Sequence, residues 1–223
     1  MTMWNDLMED FPVRCQELLK RAEGVAKRYD CDFTLLLAVA AAGLVIPLER
    51  MDKSHLNGDI RAHDKLGDKL KGILNKPFHR SRFCMSPRDW SYFRCKPFKL
   101  EVTVEDRWNE IAKWKSCSRE PLNDGVIVQT VLSAMRNALG HGNIEVFQTE
   151  GTDDDGLIGR VGMLSITGKF KSEGPDFFTV VHTTPAALKF LLQEWFAFLH
   201  EHSTKSNLRF SRDVIHEQLE ATA

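Results

Sequence analysis

Phe33-Thr34-Leu35-Leu36-Leu37-Ala38-Val39-Ala40-Ala41-Ala42-Gly43-Leu44-Val45-Ile46 is the most apolar stretch of the chain, broken only by Thr34 and Gly43. Asp32 stands before it as a candidate N-cap, and Pro47 falls at its expected end. A helix apolar on every side is normally surrounded by other helices or set against a partner subunit, so this segment reads as the centre of a helical bundle. Its 14 residues fall short of the roughly 18–20 needed to cross a bilayer, which favours a core helix over an anchor. Leu48-Glu49-Arg50-Met51 follows, with the first ionisable groups after 16 residues that carry none. Charge placed there sits at the rim of the core.

Working outward, Phe11-Pro12 can open a helix that runs to Tyr29 with Val13, Leu18, Leu19, Ala22, Val25 and Ala26 at suitable spacing. Downstream, Asn57-Gly58 punctuates, and Asp59 to Leu74 shows Ile60, Leu66, Leu70 and Ile73 on one helical face. Thr103 to Ser116 resumes a helical pattern through Trp108, Ile111 and Ala112. Asn123 or Asp124 can cap a further helix from about Gly125 to Leu139, ended by Gly140 and Gly142. The period then changes to two: Ile144–Thr149, Arg160–Phe170 and Phe177–His182 read as strands. Between the first two, Asp153-Asp154-Asp155-Gly156 reads as a solvated turn, since calcium-loop spacing is absent. Thr184-Pro185 opens a last long helix to His202. The expected fold class is mainly α, a helical bundle with a small antiparallel β-hairpin or three-stranded insertion before the last long helix. One domain covers residues 1–223, with its core at 12–202, the β insertion at 144–183 and a polar tail at 203–223 that contains a short helical pattern over Asp213–Leu219.

Composition limits the function classes. Of 223 residues 43% are apolar and 27% charged, enough for one proper core without disulfides or metals. Lys plus Arg (30) nearly cancels Asp plus Glu (31), so no chain-wide field is available to hold a polyanion or an acidic membrane. Five cysteines lie far apart with no CxxC pair, which argues for reduced thiols. The acidic opening Met1-Thr2-Met3-Trp4-Asn5-Asp6 is unlike an export signal, and a cytoplasmic protein with no membrane partner is expected. No Gly-rich phosphate loop, GxSxG elbow or HExxH pair occurs, and neither cofactor nor metal is expected.

One segment departs from this balance. Residues 75–99 hold seven Lys/Arg, one acid, three prolines and six aromatics, a net +6 against −7 for the rest. Arg80, Arg82, Arg88 and Arg94 with Trp90 and Tyr92 supply what single-stranded RNA requires, cations for phosphates and flat rings for unstacked bases. The other reading is that Phe78, Phe83, Trp90 and Phe93 pin a long connection to the bundle while the basic heads reach water.

The densest polar chemistry beside an apolar helix is Ser133-Ala134-Met135-Arg136-Asn137-Ala138-Leu139-Gly140-His141-Gly142-Asn143. In a helix that persists to His141, Ser133, Asn137 and His141 form one stripe, flanked by Arg136. A guanidinium near an imidazole can cleave an RNA phosphodiester without metal: histidine moves a proton near neutral pH, arginine stabilises the phosphorane-like transition state, and the RNA's own 2′-OH attacks. A bare R-x(4–6)-H pattern is weak, since Arg50…His55 and Arg209…His216 also fit it. The bland reading is that Gly140 ends the helix, Arg136 complements its C-terminal dipole and His141 is a loop residue.

Arg136-Asn137-Ala138-Leu139-Gly140-His141 resembles the R-N-x-x-x-H signature of the HEPN superfamily (higher eukaryote and prokaryote nucleotide-binding), helical domains that include many metal-independent endoribonucleases. The resemblance spans roughly Pro12 to His202, and includes a second helix ending in Pro47-Leu48-Glu49-Arg50, the motif helix, a β insertion and a closing helix. It implies a bacterial subgroup found among toxins and defence genes. Arg136 and His141 are then catalytic, Asn137 holds the motif helix or substrate, Ser133 supports them, and Glu49 is the acidic partner that orients Arg136 or His141. It also implies a homodimer in which two Arg/His sets share one cleft, an RNA substrate and a cognate antitoxin or regulatory protein. The alternative within the same resemblance is a non-catalytic RNA- or protein-binding dimerisation module.

Overall fold

The structure, a computed structural model, describes residues 3–49, 64–95, 122–148, 158–167 and 177–202. Among the described residues the main elements are, in chain order, α1 (Met3–Arg28), α2 (Asp32–Ala40), α3 (Asp64–Leu74), β1 (Trp90–Cys95), α4 (Val128–His141), β2 (Ile144–Gln148), β3 (Ile158–Thr167), β4 (Phe177–Thr183) and α5 (Pro185–Glu201). The fold is mainly α with one antiparallel sheet. The helical pattern over Thr103–Ser116, the acidic turn Asp153–Asp155, Arg50…His55, Arg209…His216 and the tail pattern Asp213–Leu219 lie outside the described residues.

Two prolines behave differently from their local expectation. Pro12 does not open α1 but sits inside it. Pro47 does not end α2: the helix widens into a π-helical segment over Ala41–Val45 and continues in α geometry to Glu49. The run Asp32–Glu49 is therefore 18 residues, long and apolar enough by length and composition to cross a membrane, and 33% of it is buried inside the fold. Burial is one-sided, through Leu36, Val39, Ala40, Gly43 and Leu44, while Thr34 and Ala38 face the surface. Cys31, not Asp32, occupies the N-cap, and Asp32 lies in the first turn where a carboxylate suits the helix dipole.

The sheet has four strands in the order β1-β4-β3-β2, every neighbouring pair antiparallel. Strands β2, β3 and β4 are the expected insertion. The fourth comes from the basic, aromatic segment: β1 pairs with β4 from Trp90↔Thr183 to Cys95↔Phe178. Gly162 lies between Glu145 and His182 in register, so one row runs Ser91, His182, Gly162, Glu145 across all four strands. The sheet packs on α4, and α5 closes the bundle across α1 and α2. Thr184 caps α5 by accepting the Ala187 amide at 3.1 Å, with Pro185 in the first turn, a cap that contributes about 1 kcal/mol.

The core joins Leu36 and Val39 of α2 and Leu44 of the π segment to Val131, Leu132 and Met135 of α4 and to Leu188, Leu192 and Trp195 of α5. Lys189 of α5 grips Glu23 of α1 at 2.7 and 2.6 Å. That contact and the Lys27 ammonium hold the Glu23 carboxyl below the usual carboxylate range.

Candidate active site

Helix α4 starts three residues later than Gly125. Ile127 is its N-cap with no side-chain bond, and Asn123 instead turns back to accept the Gly125 amide at 3.0 Å. At the other end the helix outlasts Leu139. The Asn143 amide reaches the Ala138 carbonyl at 2.9 Å and the Gly142 amide the Leu139 carbonyl at 3.4 Å, the paired closure of a Schellman motif. Gly142 adopts φ 69°, which a glycine enters without strain. Termination thus belongs to Gly142, and Gly140 and His141 stay in the last helical turn. Asn137 and His141 stand one turn apart on one face, with Ser133 a turn earlier. His141 is exposed and Ser133 is half-buried.

Arg136 is half-buried, and its Nε and Nη2 each donate to Asn137 Oδ1 at 3.2 Å. Glu49, 87 positions earlier in the chain, brings Oε1 to 3.5 Å from Arg136 Nε. The pair is partly open to water, with side chains 23% exposed for Arg136 and 42% for Glu49, so its contribution to stability is about 0–1 kcal/mol and its effect is orientation. The π segment that follows α2 packs against α4: a Cβ on Gly140 would stand 3.9 Å from Val45 Cγ1. That is ordinary contact, so packing does not demand a glycine at 140.

The basic, aromatic segment divides differently from its expected role in RNA binding. Arg82 gives Nε to Glu194 at 2.8 Å and Nη1 and Nη2 to Glu201 at 2.6 and 3.0 Å, tying the connection to α5. The bond to Arg82 holds the Glu201 carboxyl below its usual range. Trp90 is only 2% exposed and meets Phe78 edge-on with ring centroids 4.9 Å apart, so its ring is core and offers no face to a base. Tyr92 is half-buried against the core. Arg80 is exposed and shares Asp124 with His79; Arg88 is exposed. Arg94 lies in β1 opposite Thr179. For Arg82 and Trp90 the pinning reading is therefore the correct one, because burial and short ion pairs use the groups that RNA would need.

Among the described residues no group of three or more His, Cys, Asp or Glu could hold a metal ion. An apolar hollow of about 190 Å³ opens between α1 and α2, lined by Phe11, Arg14, Cys15, Leu18, Ala38, Val39 and Ala42. None of these belongs to the Glu49–Arg136 cluster. Burial pushes the Cys15 thiol up to about 11.

Compared with known families, the chain matches over residues 1–206 the model described as HEPN pEK499 p136. No curated protein and no solved structure matches.

Proposed function

The chain belongs to the HEPN pEK499 p136 family, and on that premise we propose that it is a metal-independent endoribonuclease with Arg136 and His141 as its catalytic pair. The observation that carries this reading is the meeting of Glu49 with Arg136 at 3.5 Å, five residues before the exposed His141 on the R-N-x-x-x-H helix.

RNA lies across the C-terminal turn of α4. The His141 imidazole takes the proton of a 2′-OH, and the freed oxygen attacks the adjacent phosphorus. Charge that builds on the phosphoryl oxygens faces the Arg136 guanidinium, which Glu49 and Asn137 orient beforehand, so little reorganisation is left for the moment of reaction. The bond to the 5′-oxygen breaks as that oxygen takes a proton from a second imidazole, leaving a 2′,3′-cyclic phosphate and a 5′-hydroxyl. A homodimer supplies that imidazole as the partner's His141. A toxin or defence role restrained by a cognate antitoxin or regulatory protein fits an RNase whose action on cellular RNA must be controlled.

The test is incubation of purified protein and of His141→Ala with end-labelled RNA in excess EDTA, followed by analysis of the product ends. Cleavage by the wild type alone, with 2′,3′-cyclic or 3′-phosphate ends, is the expected result. Tight RNA or protein binding with no cleavage of varied RNAs would assign the chain to the non-catalytic module instead.

A further inference from the structure

Gly43 and Pro47 are four residues apart on the apolar helix. In an unbroken α-helix the Gly43 carbonyl would accept the amide of residue 47, but proline has no N–H and its ring crowds the carbonyl four residues before it, a cost of about 3 kcal/mol. The chain answers in two ways. The helix widens to π geometry over Ala41–Val45, and the Gly43 carbonyl takes its proton from another element: the Trp195 indole Nε1 of α5 donates to it at 3.0 Å. Trp195 is fully buried, and Phe196 beside it sits so close that a Cβ on Gly43 would fall 2.5 Å from its ring. Only glycine lets α5 approach this carbonyl.

The consequence lies two residues past the proline. Each residue of an α-helix turns the chain by about 100°, so the wider π turn resets the azimuth of everything after it by a similar angle. Glu49 stands four residues past the π turn, at the end of the α-helical stretch that follows it, and is the residue that meets Arg136 at 3.5 Å. A helix that ended at Pro47, or passed it in plain α register, would aim residue 49 elsewhere. We propose that Trp195 is a positioning residue for the candidate active site: its indole N–H occupies the carbonyl that Pro47 deprives of a donor, holds the π turn, and thereby aims Glu49 at Arg136. This rests on reading Glu49–Arg136 as part of the site, although the geometry it concerns exists whether or not RNA is cut.

The experiment follows the Arg136 side chain directly. The solvent exchange rate of Arg136 Nε–H is measured by NMR in the wild type, Trp195→Phe, Glu49→Gln and the double variant, with folding checked by circular dichroism. Trp195→Phe is expected to speed exchange about 2- to 10-fold, the scale of one lost hydrogen bond, as Glu49→Gln does, and the double variant is expected to be no faster than Glu49→Gln alone. If Trp195→Phe fails to fold, the benzothiophene isostere of tryptophan at 195 removes the donor while keeping the ring. A folded variant with unchanged Arg136 exchange, or a double variant equal to the product of the singles, would overturn the proposal. Since this readout needs no RNA, the two ideas separate. Altered exchange in a protein that never cleaves RNA keeps Trp195 as a positioning residue and removes the nuclease; unchanged exchange in an active nuclease does the reverse.

Discussion

Arg82 and Arg136 both face carboxylates, and the geometry differs in a way that separates structure from chemistry. All three guanidinium nitrogens of Arg82 are engaged at 2.6–3.0 Å, by Glu194 and by both oxygens of Glu201. Arg136 meets its neighbour Asn137 at 3.2 Å and Glu49 at 3.5 Å, the latter a separation beyond the usual N–H···O range. Short multiple bonds commit the first guanidinium to fastening the 78–90 connection onto α5. The Glu49 contact with Arg136 is longer than any of these, and under the proposed function its part is to orient a guanidinium rather than to fasten a segment. Sequence composition had made Arg82 look like the RNA contact because its neighbours are cationic and aromatic. The decisive quantity was partner geometry.

The contrast breaks most visibly in catalysis. Arg136→Ala should lower the single-turnover rate of RNA cleavage by about 10²–10⁴-fold with a nearly unchanged melting temperature, whereas Arg82→Ala should leave that rate within about twofold, the scatter expected for a group that touches no reacting atom. Similar losses in both would erase the distinction. Next in size is stability: Arg82→Ala should cost about 1–2 kcal/mol, reduced from a buried-pair value because its partners are partly hydrated, and lower the melting point by about 2–4 °C per kcal/mol. Calorimetry decides it.

The pH dependence of that loss is a finer test. The Glu201 carboxyl sits below its usual value chiefly through its bond to Arg82. A folded pKa below the unfolded one means stabilisation that is whole above the unfolded value, about 4.3, and that disappears as pH falls through the folded value. The melting-point gap between wild type and Arg82→Ala should therefore be constant from neutral pH down to about 5 and close in acid. A gap that widens on acidification would contradict the assignment. The smallest effect concerns Cys84, whose thiol burial, and then the nearby Asp89, pushes up to about 11. Labelling of Cys84 at pH 8, followed by mass spectrometry, should be slow in the wild type, several-fold faster in Arg82→Ala on the scale of one or two lost hydrogen bonds, and unaltered in Arg136→Ala.

How far the sequence was legible depended on whether the deciding partner was local. The Thr184-Pro185 start of α5 and the Gly142 stop of α4 act within one turn of their own backbone, and strand periodicity in β2 to β4 needs only alternate residues. The rule that takes Pro47 as a boundary assumes that no donor from elsewhere repairs the ladder, and at Gly43 one does. Strand β1 is not legible in sequence because a segment rich in basic and aromatic residues looks like surface until its pairing with β4 and the burial of Trp90 are known. For the site, the R-N-x-x-x-H spacing singled out Arg136, Asn137 and His141. The choice of Glu49 came from family resemblance, and no spacing rule brings residue 49 to residue 136.

Short-range patterns of hydrophobicity, capping and turn residues were sufficient for the helical class, the β insertion and the motif helix, because the hydrogen bonds and faces involved close within a few residues. Tertiary contact alone settled that Arg82 is fastened to α5, how the apolar helix survives its proline, and that Glu49 meets Arg136. Those outcomes depend on groups from distant segments, Glu194, Glu201 and Trp195 above all, arriving within hydrogen-bond range, and hydrogen-bond range is a property of the packed chain rather than of its residue order.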